Sequence, residues 1–281
     1  MTRTDTNHLI TLNDDRTIPQ LGFGVFQVPD EEAVNAVETA LDAGYRHIDT
    51  AAVYKNERGV GAGIVRSGLT REQVFVTTKL WNTDQGTESV RAAIDHSCEL
   101  LGSDFVDLYL IHWPAPTIDK FVPSWRVLVE LREEGRARSI GVSNFHAPHL
   151  ARVIEDSGVV PAVNQIELHP YMQQRELRAE HARLGIATEA WSPLGQGGEL
   201  LQDPVLVAIA KEHESTPAQI VLAWHLAIGN IVIPKSVHAG RIAQNFNATE
   251  IELTDEQVTM IDGLDRGAAG RIGPDPDTAT F

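Results

Sequence analysis

Three short apolar runs of this sequence each end in, or lead straight to, a side chain able to move or steady a proton. Tyr45-Arg46-His47-Ile48 runs into Asp49, and Tyr54 follows five residues later. Val74-Phe75-Val76-Thr77-Thr78 ends in Lys79, and Val106-Asp107-Leu108-Tyr109-Leu110-Ile111 ends in His112. If the runs are neighbouring parallel strands, a carboxylate, a phenol, an ammonium and an imidazole collect at one end of one sheet. Lys79 then has two readings. It could form a Schiff base with a carbonyl substrate. It could instead be a fixed cation, held charged and oriented by Asp49, because a partly buried ammonium needs such a partner. A firmly paired lysine is a poor nucleophile, which favours the second role. The group it would tune is Tyr54. A phenol titrates near about 10, and a nearby cation lowers that value. Tyr54 could then protonate a substrate oxygen, with His112 donating a hydrogen bond to the same atom.

That set polarises a carbonyl and protonates the resulting alkoxide. It contains no electron source, so a hydride must come from a cofactor. Other polar residues close to strand ends suit a nicotinamide nucleotide. Trp191 offers a flat face for the ring, and Ser143, Asn144 and Gln165 offer the donors and acceptors that a carboxamide requires. Ser192-Pro193-Leu194-Gly195 supplies backbone amides for a pyrophosphate. Lys235 and Ser236, with Arg241, form a local basic cluster suited to a phosphate monoester, which points to NADPH over NADH.

The elements that must position these groups alternate along the chain. Strand-like runs fall at residues 21–25, 45–49, 74–79, 106–112, 139–142, 163–167, 188–191 and 231–234. Helical patterns separate them. Val34, Val37 and Leu41 form one stripe with Gly44 as C-cap, and Val90, Ile94, Cys98 and Leu101 form another. Asp203-Pro204 and Thr216-Pro217 read as an N-cap followed by proline, and Thr254 to Gln257 as a capping box. Eight alternations in 281 residues predict a single-domain α/β protein, a (β/α)8 TIM barrel over residues 1–281. Residues 1–20 carry an N-terminal β-hairpin around Asn13-Asp14-Asp15-Arg16, placed to cover the barrel bottom. Residues 267–281, with Gly270, Gly273, Pro274 and Pro276, read as an irregular tail, either lying over the pocket or disordered.

Composition limits the partners. The net charge of −16 disfavours nucleic acid and anionic membranes. The start of the chain has no apolar signal core, and no stretch reaches the roughly 20 apolar residues of a membrane span. The single cysteine excludes an internal disulfide and fits a reducing, cytoplasmic compartment. The histidines are scattered without metal-ligand spacing, so no metal is expected.

These residues resemble the aldo-keto reductase family over nearly the whole chain. The segment from Gly44 to Tyr54, Lys79-Leu80-Trp81, Leu110-Ile111-His112-Trp113-Pro114, Gly141-Val142-Ser143-Asn144-Phe145 and Ile233-Pro234-Lys235-Ser236 carry the resemblance. The short tail and Ala190-Trp191-Ser192-Pro193-Leu194-Gly195 are most similar to the bacterial branch that includes 2,5-diketo-gluconate reductases. The resemblance implies NADPH-dependent reduction of aldehydes and ketones, with dicarbonyls, quinones and keto-sugar acids as candidates. It makes Asp49, Tyr54, Lys79 and His112 the catalytic tetrad. It assigns the cofactor to Ser143, Asn144, Gln165, Trp191, Ser192, Leu194, Gly195, Lys235, Ser236, Val237, Arg241 and Asn245, and the substrate pocket to Phe26, Trp81 and Trp113. It also implies a monomer acting on a small-molecule carbonyl. Two positions depart from the family pattern. Gln244 stands where many members carry a Glu near the adenine, and His238 where a small hydroxyl residue is common beside the 2′-phosphate.

Competing readings remain open on sequence alone. Asp49 and Lys79 could be a structural ion pair, a reading that the presence of Tyr54 and His112 weakens. Gly59-Val60-Gly61-Ala62-Gly63 looks like a dinucleotide loop but follows no suitable strand, so helix packing explains it better. Cys98, Trp125 and Trp224 lie on helical patterns and read as core. For the whole chain, a Schiff-base lyase and a non-catalytic NADPH sensor stand beside the reductase.

Overall fold

A computed structural model describes residues 8–281. The starting residues 1–7, read above as lacking an apolar signal core, lie outside the described residues. Two short antiparallel strands open the fold, β1 (Leu9–Thr11) and β2 (Thr17–Pro19). Eight parallel strands follow: β3 (Phe23–Gly24), β4 (His47–Asp49), β5 (Phe75–Leu80), β6 (Val106–Ile111), β7 (Ala137–Ser143), β8 (Val163–Glu167), β9 (Ala187–Trp191) and β10 (Ile231–Val232). They pair in chain order, and each pair needs a crossover. The crossovers are α1 (Asp30–Ala43), α2 (Glu57–Arg66), α3 (Ser89–Leu101), α4 (Phe121–Glu133), α5 (Ala147–Ser157), α6 (Arg175–Leu184), α7 (Pro204–Glu212) and α8 (Pro217–Ala227). Two further helices, α9 (Ala239–Phe246) and α10 (Asp255–Asp262), follow β10.

The first and last strands meet. The Gly22 N–H donates to Val232 O at 2.9 Å, Val232 N–H to Gln20 O at 2.8 Å, and Gly24 N–H to Pro234 O at 3.0 Å. Both seam strands are shorter than the sequence suggests, because the ladder there thins to a bridge between Leu21 and Val232. Gly22 is needed at this seam: a Cβ would lie 2.4 Å from the inward His47 ring. The hairpin covers the barrel bottom as expected. Leu12 and Ile18 pack into a core with Leu108, Leu110, Val163 and Ile231.

Local sequence explains the helix ends. Three acids, Asp30, Glu31 and Glu32, sit in the first turn of α1, where the helix dipole favours them. Gly44 ends α1 at φ 119°, donating its N–H to Ala40 and Leu41. The buried face of α1 is Ala33, Ala36, Val37, Ala40 and Leu41, with Val34 only half-buried at its margin. Thr216 and Thr254 each form a capping box, with Gln219 and Gln257, and Asp203 caps Val205.

The glycines of α2 let it approach α1 and α3 closely, which accounts for the Gly59–Gly63 repeat. A Cβ on Gly59 would lie 2.1 Å from Asp30 O, one on Gly61 2.5 Å from Leu101 O, and one on Gly63 2.8 Å from Val34 O. Backbone oxygens cannot step aside as a flexible side chain can. Gly59→Ala should therefore destabilise the fold by at least about 1–3 kcal/mol, the usual penalty of overpacking. Urea unfolding of the variant checks this, and a change below about 0.5 kcal/mol would mean that α1 and α2 separate freely.

Candidate active site

Asp49 is the last residue of β4, and Lys79 the fifth of β5 on the neighbouring strand. Both are sealed from solvent, at 2% and 0% exposure. Lys79 Nζ donates to Asp49 Oδ1 at 2.6 Å and to Thr50 O at 2.8 Å. Tyr54 closes a single 3-10 turn, Ala52–Tyr54, just beyond β4. Buried Asn56 pins that loop: it accepts from the Thr50 hydroxyl at 2.7 Å and donates to Val25 O and Val28 O, each at 2.9 Å. The Tyr54 ring centroid lies 5.2 Å from Lys79 Nζ and 5.7 Å from the His112 ring. His112 follows β6 directly, its N–H donating to Leu80 O at 3.1 Å. All four residues predicted to act together are brought together.

The electrostatics correct one expectation. Burial pushes the Tyr54 phenol above its ordinary value, and the Lys79 ammonium pulls against that rise without reversing it. The sequence reading took the Lys79 effect alone and predicted a lowered value. Burial also raises the Asp49 carboxyl, opposed by the same ammonium. For Lys79 burial disfavours the charge, yet Asp49 above all holds it above the usual lysine range. Burial, then the charge of Lys79, holds His112 well below the ordinary imidazole value, so it stands neutral.

The residues predicted for a nicotinamide converge from the ends of β7 and β9 and from Gln165 in the middle of β8. The Ser143 hydroxyl donates to Gln165 O at 2.9 Å. Asn144 adopts φ 63° and links three strand ends. Its amide donates to His112 O and to Ser143 Oγ, each at 3.0 Å, and its oxygen accepts from the Trp191 indole at 2.8 Å. These bonds fix the half-buried Trp191 ring at the mouth. Ser192, Leu194 and Gly195 follow in a half-exposed loop, with Ser192 at φ 48° and Gly195 at φ 58°.

At the far side, Lys235, Val237, His238 and Arg241 are exposed around the start of α9, while Ser236 and Asn245 are buried. Among the described residues neither Lys235 nor Arg241 enters an ion pair, although the chain carries 39 acidic side chains. Two unpaired cations beside a helix N-terminus fit a phosphate monoester. A flat aromatic face, carboxamide partners and this cationic end together fit a phosphorylated nicotinamide nucleotide.

Around Tyr54 the walls are aromatic. Phe26 lies 5.1 Å from the Tyr54 ring, and Trp81 5.2 Å from His112. The tail, irregular except for a turn at Gly267–Gly270, lies over this pocket. Phe281 stacks on Trp81 at 5.8 Å and meets Trp113 edge-on at 5.0 Å. The Glu167 carboxylate accepts from the backbone N–H of Ile272 at 2.6 Å and of Gly273 at 2.8 Å. Asp277 lies 3.0 Å from His146 Nδ1 and 3.5 Å from His149 Nε2. These histidines are less scattered than the sequence suggests, and with Asp277 they place three ligand-type atoms within 4.8 Å of one another. The His146 N–H donates to His149 Nδ1 at 3.2 Å, which puts the neutral ring's proton on Nε2, facing Asp277. The group is accordingly a clamp on the tail. Sequence reasoning missed Phe281 and Asp277 because a tail without periodicity gives no register, and the role of Glu167 because its partners Ile272 and Gly273 lie in that tail.

Comparison with known proteins agrees with this geometry. A model of the aldo/keto reductase family matches residues 20–266. An aldo-keto reductase of Mycolicibacterium smegmatis is 57% identical, covering 97% of this chain and 98% of the relative. The methylglyoxal reductase DkgA of Yersinia pestis is 52% identical, covering 96% of each chain. The crystal structure of a Gox0644 mutant in complex with NADPH superposes with a TM-score of 0.94 at 46% identity, covering 98% of this chain and 99% of that one.

Proposed function

The chain belongs to the aldo/keto reductase family and is an NADP-dependent oxidoreductase acting on carbonyl groups; on that premise we propose that it reduces small aldehydes and ketones, dicarbonyls among them, with Tyr54 as the acid. When bound, NADPH supplies the hydride. The chain's own groups supply the rest. Tyr54 holds its proton at neutral pH, because burial raises the phenol. As negative charge grows on the substrate oxygen, Tyr54 delivers that proton. Lys79 then stabilises the phenolate left behind, and Asp49 holds Lys79 charged and in place. Neutral His112 donates a hydrogen bond to the same oxygen. Trp81, Trp113 and Phe281 keep water out and favour a moderately apolar carbonyl. Lys235, Ser236 and Arg241 hold the 2′-phosphate, while Trp191 and Gln165 hold the nicotinamide. The reading extends to a reducing compartment, supported by the single, buried Cys98, and to a monomer, which rests on the family resemblance alone.

The observation that carries the proposal is the sealed Lys79–Asp49 pair under Tyr54. A Schiff-base lyase needs a neutral amine at the mouth, and Lys79 is neither neutral nor exposed. The test is NADPH oxidation with a dicarbonyl, an aromatic aldehyde, a quinone and a keto-sugar acid, run beside NADH. Turnover with NADPH and little with NADH is expected. Tight NADPH binding without turnover of any of them would overturn the proposal in favour of a sensor.

The cationic end gives a separate prediction. Charge-assisted hydrogen bonds contribute about 1.5–3 kcal/mol each. Arg241→Ala should therefore raise the KM for NADPH about tenfold to a hundredfold. The KM for NADH, which lacks the phosphate, should stay within about twofold. Equal losses with both cofactors would place the phosphate elsewhere.

A further inference from the structure

A second carboxyl lies beside Asp49, and the chemistry above makes no use of it. Glu189, in the middle of β9, is fully enclosed. Gln165 Nε2 sits between the two acids, 2.8 Å from Asp49 Oδ2 and 2.9 Å from Glu189 Oε2. An amide nitrogen carries two N–H bonds, so both are committed inward. The Asp49 carboxylate, which can only accept, and the Glu189 carbonyl oxygen beside it fix which end of the amide is nitrogen. The polar atom that Gln165 has left is its oxygen. Asn144 is the poorer acceptor, since both of its N–H bonds and one lone pair of its oxygen are engaged within the protein.

We propose that Glu189 is a positioning residue: its buried carboxyl locks the Gln165 amide so that the oxygen is presented to the cofactor, as the acceptor for the nicotinamide carboxamide N–H. The inference rests on the nicotinamide reading above and adds a named determinant to it. Without Glu189 one Gln165 N–H has no partner in a dry interior, and Asp49 alone is left to hold the amide. The carboxamide would then meet an acceptor that is no longer fixed in place.

Glu189 performs this role as the un-ionised acid. The groups facing it are Asp49 and His47 on β4, Tyr54 just beyond that strand, Lys79 on β5 and Gln165 on β8. His47 Nε2 is 3.7 Å from Glu189 Oε1, but it is no counter-charge. Burial holds that imidazole down to about 3, and the same nitrogen contacts Thr77 Oγ1 at 3.0 Å. Burial, then the Asp49 charge, pushes the Glu189 carboxyl up to about 8. The folded protein thus keeps a proton that the unfolded chain releases near the ordinary value of 4.5. Stability must fall as pH rises between those values and level off above the higher one. Glu189→Gln mimics the un-ionised acid and removes that dependence.

The experiment is a fluorescence titration of the full chain and its variants with NADPH and with 2′-phospho-ADP-ribose, which lacks the nicotinamide. Glu189→Leu should weaken NADPH binding about tenfold and leave 2′-phospho-ADP-ribose within about twofold. Glu189→Gln should restore NADPH affinity. Should the leucine variant not fold, Glu189→Asp serves, since its shorter side chain withdraws from Gln165 and should weaken NADPH alone. A thermal melt from pH 5 to 9 gives a readout without cofactor: the Tm of Glu189→Gln should gain on the parent as pH rises towards 8. Equal weakening for both ligands, or full NADPH affinity in the leucine or aspartate variant, overturns the proposal. So does a Tm difference that ignores pH. Failure of the parent to bind NADPH would instead strike the reductase reading itself.

Discussion

Tyr54→Phe is expected to lower kcat for carbonyl reduction by about 10²–10⁴-fold, the range supplied by a positioned general acid. The substitution removes one oxygen and keeps the ring that packs against Phe26 at 5.1 Å and His112 at 5.7 Å. The fold and the affinity for NADPH should therefore stay as they are. The pH profile separates this assignment from one in which His112 is the acid. Burial lowers the imidazole well below 6.5, so His112 carries no proton to lose in the neutral range. Burial raises the phenol, so its proton remains available there. The reduction rate should accordingly show no inflection near 6.5 and should decline only on the alkaline side. Stopped-flow NADPH oxidation from pH 5 to 11, on parent and variant, measures both features. A variant retaining more than about a tenth of the parent rate would move the acid role elsewhere.

Asp49→Asn carries the second largest effect, and it acts on stability as well as rate. Lys79 is fully enclosed, with Asp49 at 2.6 Å and a carbonyl, Thr50 O, at 2.8 Å. Removing the carboxylate leaves an ammonium without its charge partner in a sealed site, which costs about 3–5 kcal/mol. Lys79→Met should cost less, because burial already favours the protonated form of Asp49 and the carboxyl can take up a proton. Both variants should lose most of the reductase activity, since the phenolate of Tyr54 is left without a properly held cation in either. Urea unfolding at pH 7 ranks them. If Lys79→Met proves the less stable, the ammonium rather than the carboxylate is the tolerant partner, and the account of the pair must be inverted.

The Lys79–Asp49 pair also shows why so much was legible in one sequence. A parallel strand that ends in a polar residue announces where that residue sits, because parallel strands deliver their carboxyl ends to one face. Asp49, Lys79, His112 and Trp191 could each be placed from strand endings alone, and the structure brings them together with Gln165 from the middle of β8. Caps were equally local: Thr216 with Gln219, Thr254 with Gln257 and Gly44 behind α1 need only a turn of chain to be recognised. The Gly59–Gly63 repeat could be set apart from a dinucleotide loop by what precedes it, though its partners on α1 and α3 could not be named.

Other features depend on sums over groups distant in the chain. The direction of the Tyr54 shift is a contest between burial and Lys79, and no local pattern reports how much solvent a folded pocket excludes. Glu189 stands beside Trp191 in sequence, yet its role comes from Gln165, 24 residues away, and Asp49 on β4. Phe281 and Asp277 belong to a stretch without helix or strand period, so nothing in their spacing says that they close on Trp81 and His146. Periodicity and short-range geometry were therefore enough to specify the barrel, the strand ends and the four polar side chains that meet at its mouth. The charge states and the cover over the pocket emerged only once the chain was folded, because electrostatic energy in a sealed interior depends on every neighbour at once.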